Sequence, residues 1–265
     1  MRRTYDLPWV PGILTAAQTR QTALSIAAVQ ESSGAIPWFE GGHTDPWDHV
    51  ECAMALTVAG LIGPARAAFD WCKHMQRADG SWPIQLRIGA VEDPNSDSNF
   101  CAYIATGVWH HVLITRDRAF AASMWPVVCA AIDFVLDLQA DSGEIYWARS
   151  ETGPVPAALL TGCASIFHSI RCALALADYV GAPQPEWEVA LGRLGHAIAA
   201  HPDATSWDLA GHLTWSRSWD QYSGRMRISA VTETAAHVIE LVRRGLISSS
   251  GGDVPTYRVA ARAVG

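Results

Sequence analysis

Gln76-Arg-Ala-Asp-Gly80-Ser-Trp82 is the stretch on which the fold turns, because its pattern comes back along the chain. Gln, three residues, Gly, a short gap and Trp recur at Gln30-Glu-Ser-Ser-Gly34-Ala-Ile-Pro-Trp38 and at Gln139-Ala-Asp-Ser-Gly143-Glu-Ile-Tyr-Trp147. His201-Pro-Asp-Ala-Thr-Ser-Trp207 reads as a worn fourth copy that keeps only the Trp. Successive starts lie 46, 63 and 62 residues apart. Spacing of that order marks repeated supersecondary units.

Each copy follows an amphipathic stretch. Before Gln76 the apolar residues are Ala68, Trp71, Cys72 and Met75, at helical intervals. The Gly predicts a left-handed helix C-cap, and the Gln side chain a bond to exposed backbone of the turn, covered by the Trp. A polar loop then leads to a second helix, at about 46–61, 98–114, 156–180 and, more weakly, 229–245. Sequences such as Cys52-Ala-Met-Ala-Leu-Thr-Val-Ala are apolar nearly all round, which places those helices inside. The expected fold is all-α: an incomplete or short α/α toroid of outer amphipathic and inner buried helices. An open solenoid is the alternative arrangement. One domain spans 1–265, with repeats at about 13–61, 62–114, 117–180 and 184–245 and an irregular tail at 246–265.

Composition narrows the function classes. Hydrophobic residues make up 49% and charged residues 17%, and the net charge of −7 speaks against nucleic acid or an anionic membrane surface as partner. The six cysteines form no CxxC pair and sit in apolar helical windows, so they are expected to be reduced core residues of a cytoplasmic protein. Met1-Arg2-Arg3 runs into Asp6, Pro8 and Pro11, unlike a signal peptide. No uninterrupted apolar run reaches the ~18 residues of a membrane span. A homodimer remains open.

Gln76-Gly80-Trp82 resembles the QW repeat of the terpene cyclase and prenyltransferase toroids. Three further stretches resemble a group of actinobacterial proteins described as prenyltransferase-like on the strength of that repeat. They are Thr44-Asp-Pro-Trp-Asp-His-Val-Glu-Cys-Ala-Met-Ala-Leu56, Asn99-Phe-Cys-Ala-Tyr-Ile-Ala-Thr-Gly-Val-Trp-His110 and Ala158-Leu-Leu-Thr-Gly-Cys-Ala-Ser-Ile-Phe-His168. That group includes an endo-acting α-mannosidase for the methylated mannose polysaccharide of mycobacteria. The resemblance implies a glycoside hydrolase acting on an oligosaccharide or polysaccharide, by two carboxylates and with inversion. It also implies longer relatives with further helix pairs. From about Ser206 onward the chain departs from the pattern, which bears on any catalytic residue placed there.

The loops entering the inner helices carry the chemistry. Trp38 to Glu51 holds Glu40, Asp45, Asp48 and Glu51, His43 and His49, and Trp38, Phe39 and Trp47, a dense set for fourteen residues. Asp45 fits an N-cap with Pro46 at N1 and Asp48 at N3, and backbone bonds suit it as general base. Asp48, Asp97 and Glu233 are the candidate acids. Trp38, Trp47, Trp82, Trp147 and Tyr103 are candidate sugar platforms, with Glu40, His43, Glu51, Asn99 and His168 as further contacts. Asn95 or Ser96 is expected to cap the second inner helix. Thr161, Ser165, His168 and Cys172 form a polar stripe on the third, which calls for buried partners.

There is no DxDD, DDxxD, HExxH or G-x-G-x-x-G. His43 with His49, and His110 with His111, lack a third spaced ligand, so neither metal nor cofactor is expected. The rival readings are a terpenoid cyclase or prenyl-binding enzyme, favoured by a pit without paired acids, and a non-catalytic carbohydrate-binding relative.

Overall fold

The computed structural model describes Leu7, residues 14–200 and three short strand segments at 204–205, 247–249 and 256–259. Seven helices carry the fold: α1 (Ala16–Val29), α2 (Pro46–Val58), α3 (Ile62–Met75), α4 (Ser98–Thr115), α5 (Arg118–Leu136), α6 (Leu160–Val180) and α7 (Pro185–Ala200). The apolar helices α2, α4 and α6 form an inner arc, with α4 packed between the other two. Helices α1, α3, α5 and α7 cover this arc from outside. Cys101, Ala102, Ile104, Ala105, Val108 and Val112 of α4 are buried on several faces, as an all-round apolar sequence requires. The expected inner helix at 229–245 lies outside the described residues.

The recurring Gln-Gly-Trp element locks one hairpin to the next. Nε2 of Gln30 donates to the carbonyls of Gly34 and Pro64, both at 3.0 Å. Gln76 does the same to Gly80 and Val127, and Gln139 to Gly143 and Ala190, all at 2.9 Å. In each case the second acceptor sits on the following outer helix. The glycines are not helix C-caps, contrary to the expectation from sequence. In the first two copies the backbone leaves the helix at the Gln itself, which is extended (φ −63°, ψ 128° at Gln30 and φ −63°, ψ 130° at Gln76), whereas α5 ends at Leu136 with Asp137 as its cap, before Gln139. Gly34, Gly80 and Gly143 come four residues later at φ +95°, +88° and +105°, pressed against backbone of the next outer helix.

Removing a Gln therefore strips two carbonyls of a shared donor. We expect Gln76→Ala to lower stability by about 1–3 kcal/mol in urea denaturation. Gln76→Glu, of the same shape but an acceptor when ionised, is expected to be no better tolerated.

The expectation of helices alone needs one correction, since the loops contain short strands. β1 (Gln85–Arg87) and β2 (Ala90–Asp93) form a hairpin. β3 (Ser96–Asp97), β4 (Ala148–Ser150) and β5 (Gly153–Val155) form an antiparallel sheet, in which Asp97 pairs with Ala148. β6 (Ala204–Thr205), β7 (Ile247–Ser249) and β8 (Thr256–Val259) form a third sheet in the order β6-β8-β7, partly within the tail that reads as irregular. Strands of two to four residues leave no periodicity to detect.

Helices α5 and α6 are long and apolar enough to cross a membrane by length and composition. Both pack into the core through residues such as Val128, Ile132, Ile166 and Ile170. All six cysteines are free thiols, and Cys72, Cys101, Cys163 and Cys172 are buried.

Candidate active site

Helix α2 begins at the bottom of a cleft because Pro46 supplies its first turn and Asp45 caps it. The preceding residue is held in place by paired backbone bonds between Thr44 and Leu86, at 2.7 and 2.9 Å. Asp45 Oδ1 accepts the Asp48 N–H at 2.9 Å, and Oδ2 accepts the indole N–H of Trp38 at 2.6 Å. The capping carboxylate thus also anchors the most prominent aromatic ring of the loop. Trp38 is 60% exposed, and its ring lies 4.5 Å from that of His43.

Asp48 is the third residue of α2 and is exposed. Burial raises its pKa to about 7. The charge of Asp45, a hydrogen bond shared with the Asp45 carboxyl and the charge of Glu51 push the same way, against a smaller pull from Trp38. The next residue, His49, points the other way and is fully enclosed. Its Nδ1 accepts from Ile36 N–H and its Nε2 donates to Ala68 O, which fixes a neutral ring, and burial lowers its pKa to about 4. His49 is therefore a structural link between α2 and α3.

The cleft above this pair has a volume of about 220 Å³. Asp45 and Asp48 form its floor, and Trp38, His43, Trp47 and Phe100 form its walls, with Ile84 and Gln85 closing one end. Trp47 is braced by Tyr103, stacked at 5.1 Å and 25°, and by the edge of Phe100. The Tyr103 hydroxyl donates to Glu51. Tyr103 thus supports Trp47 and Glu51, whereas the sequence suggests a free sugar contact.

Asp97, expected as an acid in the first turn of α4, is instead its N-cap, displacing Asn95 and Ser96 from that role. Its Oδ1 accepts from the N–H groups of Asn99 and Phe100 at 2.8 and 3.0 Å. Burial raises its pKa to about 7, the two N–H bonds oppose that, and the charge of Asp45 adds to it. The folded protein therefore holds this proton to a higher pH than the unfolded chain, whose value is near 3.8. The stability that Asp97 contributes is complete below about pH 4 and lost as pH rises through about 7. Asn caps a helix as well as Asp. Asp97→Asn should therefore match the parent in urea denaturation at pH 4 and exceed it at pH 8, by at most about 1.4 kcal/mol for each pH unit between.

The remaining expected contacts scatter. Trp82 is only 2% exposed and its indole donates to Cys72 O, so it is core and not a platform. Trp147 is half-buried beside β4, its backbone tied to Ser98 and Ala157, and it does not line the cleft. Glu40 is exposed beyond Trp38. Asn99 is 7% exposed, and its Oδ1 finds no partner among the described residues. His168 is exposed on α6, 3.5 Å from Cys172 Sγ. Thr161 is exposed too, so the stripe on α6 is not the buried one its sequence suggests. The buried polar link from α4 to α6 is Thr106 to Ser169, at 3.1 Å. Glu233 lies outside the described residues. Among the described residues, no three His, Cys, Asp or Glu side chains cluster as a metal site. His111, raised in sequence with His110, bonds Thr57 and packs between Phe69 and Phe120.

Sequence reasoning missed Phe100, Ile84 and Gln85 as lining residues of this cleft. They arrive through tertiary packing and left no local signal.

The arrangement can move a proton. A carboxyl poised near neutrality faces a cleft walled by aromatic rings, the usual furniture for a sugar. Its neighbour Asp45 is within hydrogen-bond reach, roughly 3 Å, which is closer than the separations of about 5 Å or more between paired carboxyls of glycosidases. Asp45 and Asp48 are therefore too close to be the two opposed carboxyls of such a pair.

No family model matches the chain. The chain is a homologue of the MMP endo-(1,4)-3-O-methyl-alpha-D-mannosidase of Mycolicibacterium hassiacum, 72% identical over 213 residues. That match takes in 80% of this chain and 58% of the relative, so the chain spans little more than half the relative's length. Among solved structures, a D-mannose isomerase superposes with a TM-score of 0.54 at 9% identity, over 93% of this chain and 75% of the other. The cellobiose 2-epimerase of Bacillus thermoamylovorans gives 0.51 at 10% identity, over 94% and 73%. These likenesses concern the fold alone and agree with an α/α toroid.

Proposed function

We propose that the protein is an endo-acting glycoside hydrolase that cuts α-1,4-mannosidic bonds in a 3-O-methylated mannose polysaccharide. The observation that carries this reading is Asp48, held near neutrality beside Asp45 on the floor of an aromatic cleft. The 72% identity to a mannosidase of that specificity supports the substrate class.

Asp48 protonates the departing glycosidic oxygen. Asp45 keeps Asp48 protonated to higher pH and fixes the Trp38 platform, so its role shifts from the base expected in sequence to a positioning residue. The base that activates water belongs to the opposite side of the sugar, a role we assign to Glu233, which the sequence analysis offers as a candidate acid. Across a separation of roughly 6.5–9.5 Å such a pair gives inversion. Six free thiols suit the reducing conditions of the cytoplasm.

A terpenoid cyclase is disfavoured, because hydrogen-bonded carboxyls form the floor of the cleft. The deciding test incubates the protein with α-1,4-linked 3-O-methylmannose oligosaccharides and separates the products by chromatography. Shorter oligosaccharides are expected. Intact substrate after long incubation, with binding still measurable, would make the protein a non-catalytic carbohydrate binder.

A further inference from the structure

On the far side of Trp38 lies a second hollow, of about 480 Å³. Trp38 and Asp48 border both hollows, so the two adjoin. Clefts of roughly 300–1,000 Å³ hold small ligands. The second hollow differs in chemistry from the first. Ile26 and Val29 of α1 face Pro37 and Phe39 of the loop, and the polar groups Ser25, Glu40 and Asp48 complete it. Cys52 also borders it. Burial, then the charges of Asp48, Asp45 and Glu51, push its thiol up to about 11, so it presents a neutral, weakly polar surface. Phe39, like Trp38, is 60% exposed.

An unmodified hexose carries hydroxyls around its whole edge. Any of them turned toward Ile26 or Val29 would lose water without gaining a partner. An O-methyl ether has no donor to leave unpaired, and its methyl gains from the same wall. We infer that this hollow is the subsite for an O-methylated mannosyl unit, with the ring laid on Trp38 and the methyl against Ile26, Val29 and Pro37. The inference rests on the hydrolase reading for the ligand's class. What it adds is that α1 and the loop before α2 choose between methylated and bare mannose.

The test measures equilibrium binding by calorimetry, using the full chain with α-1,4-linked mannotetraose and its 3-O-methylated counterpart. The parent is expected to bind the methylated sugar about tenfold or more tightly, the usual effect of one methyl in an apolar pocket. Ile26→Thr and Val29→Thr each place a hydroxyl in the wall and should bring that preference toward unity. Val189→Thr, at a position 66% exposed on α7, should leave it unchanged. Equal binding of the two sugars by the parent, binding of neither, or a preference untouched by both wall substitutions would overturn the subsite. Hydrolysis is scored separately. Cleavage of both sugars without preference sinks the subsite alone, and preference without cleavage sinks the catalytic reading alone.

Discussion

Asp48→Asn should lower kcat on a 3-O-methylmannose oligosaccharide by roughly 10²–10⁴, the usual contribution of a positioned general acid. The amide keeps the shape of the carboxyl but has no acidic proton to give. Because Asp48 is exposed, the fold is expected to survive the change. The pH profile gives the sign. A general acid must be protonated, and Asp48 loses its proton near pH 7, so kcat should fall as pH rises through about 7. Asp45→Asn removes the charge that ranks second in raising Asp48, so the falling limb should move to lower pH. If Asp45 were only a helix cap, its substitution would depress activity without moving the limb. An Asp48→Asn protein with parental kcat would place the acid elsewhere.

How much of this was legible in the sequence varies by the range of the interaction involved. Asp45 and Pro46 as cap and first turn of α2 follow from local rules, and the structure agrees. The alternation of outer and inner helices also comes from local periodicity, and α1 to α6 obey it. Gln76 was read only as serving its own turn, since nothing in Gln76-Arg-Ala-Asp-Gly80 says that Val127, 51 residues away, is its other acceptor. Asp97 was misplaced because β3 pairs with β4, 51 residues on in register, and that pairing decides where α4 starts. Trp82 and Trp147 were grouped with Trp38 as platforms because composition cannot say which way a ring turns. Trp38 turns outward because its N–H is held by Asp45, whereas the N–H of Trp82 is held by the carbonyl of Cys72 inside the core. The two rings also sit at different repeat positions: Trp82 comes six residues after its Gln, where the other copies have the buried Ile36 and Ile145, and Trp38 comes eight after.

Gly80→Ala should be the most damaging conservative substitution outside the cleft. At φ +88° a side chain is strained, which alone costs about 1–2 kcal/mol. An added Cβ would also stand 2.0 Å from the carbonyl oxygen of Ala130 and 2.5 Å from its carbon. Those atoms belong to the backbone of α5 and cannot swing aside as a side-chain tip can. Relief requires the turn to lift off α5, which overpacks or opens the interface at about 1–3 kcal/mol and loosens the Gln76 bond to Val127. Against a total stability of about 5–15 kcal/mol the sum is large. Gly89→Ala is the matched comparison: φ is +76° and nothing lies within 4 Å of the added carbon, so only the strain applies. The gap between the two variants in urea denaturation therefore measures the contact between successive hairpins. If Gly80→Ala costs no more than Gly89→Ala, the hairpins are not locked through this glycine, and their alignment must come from the buried faces of α2, α4 and α6 alone.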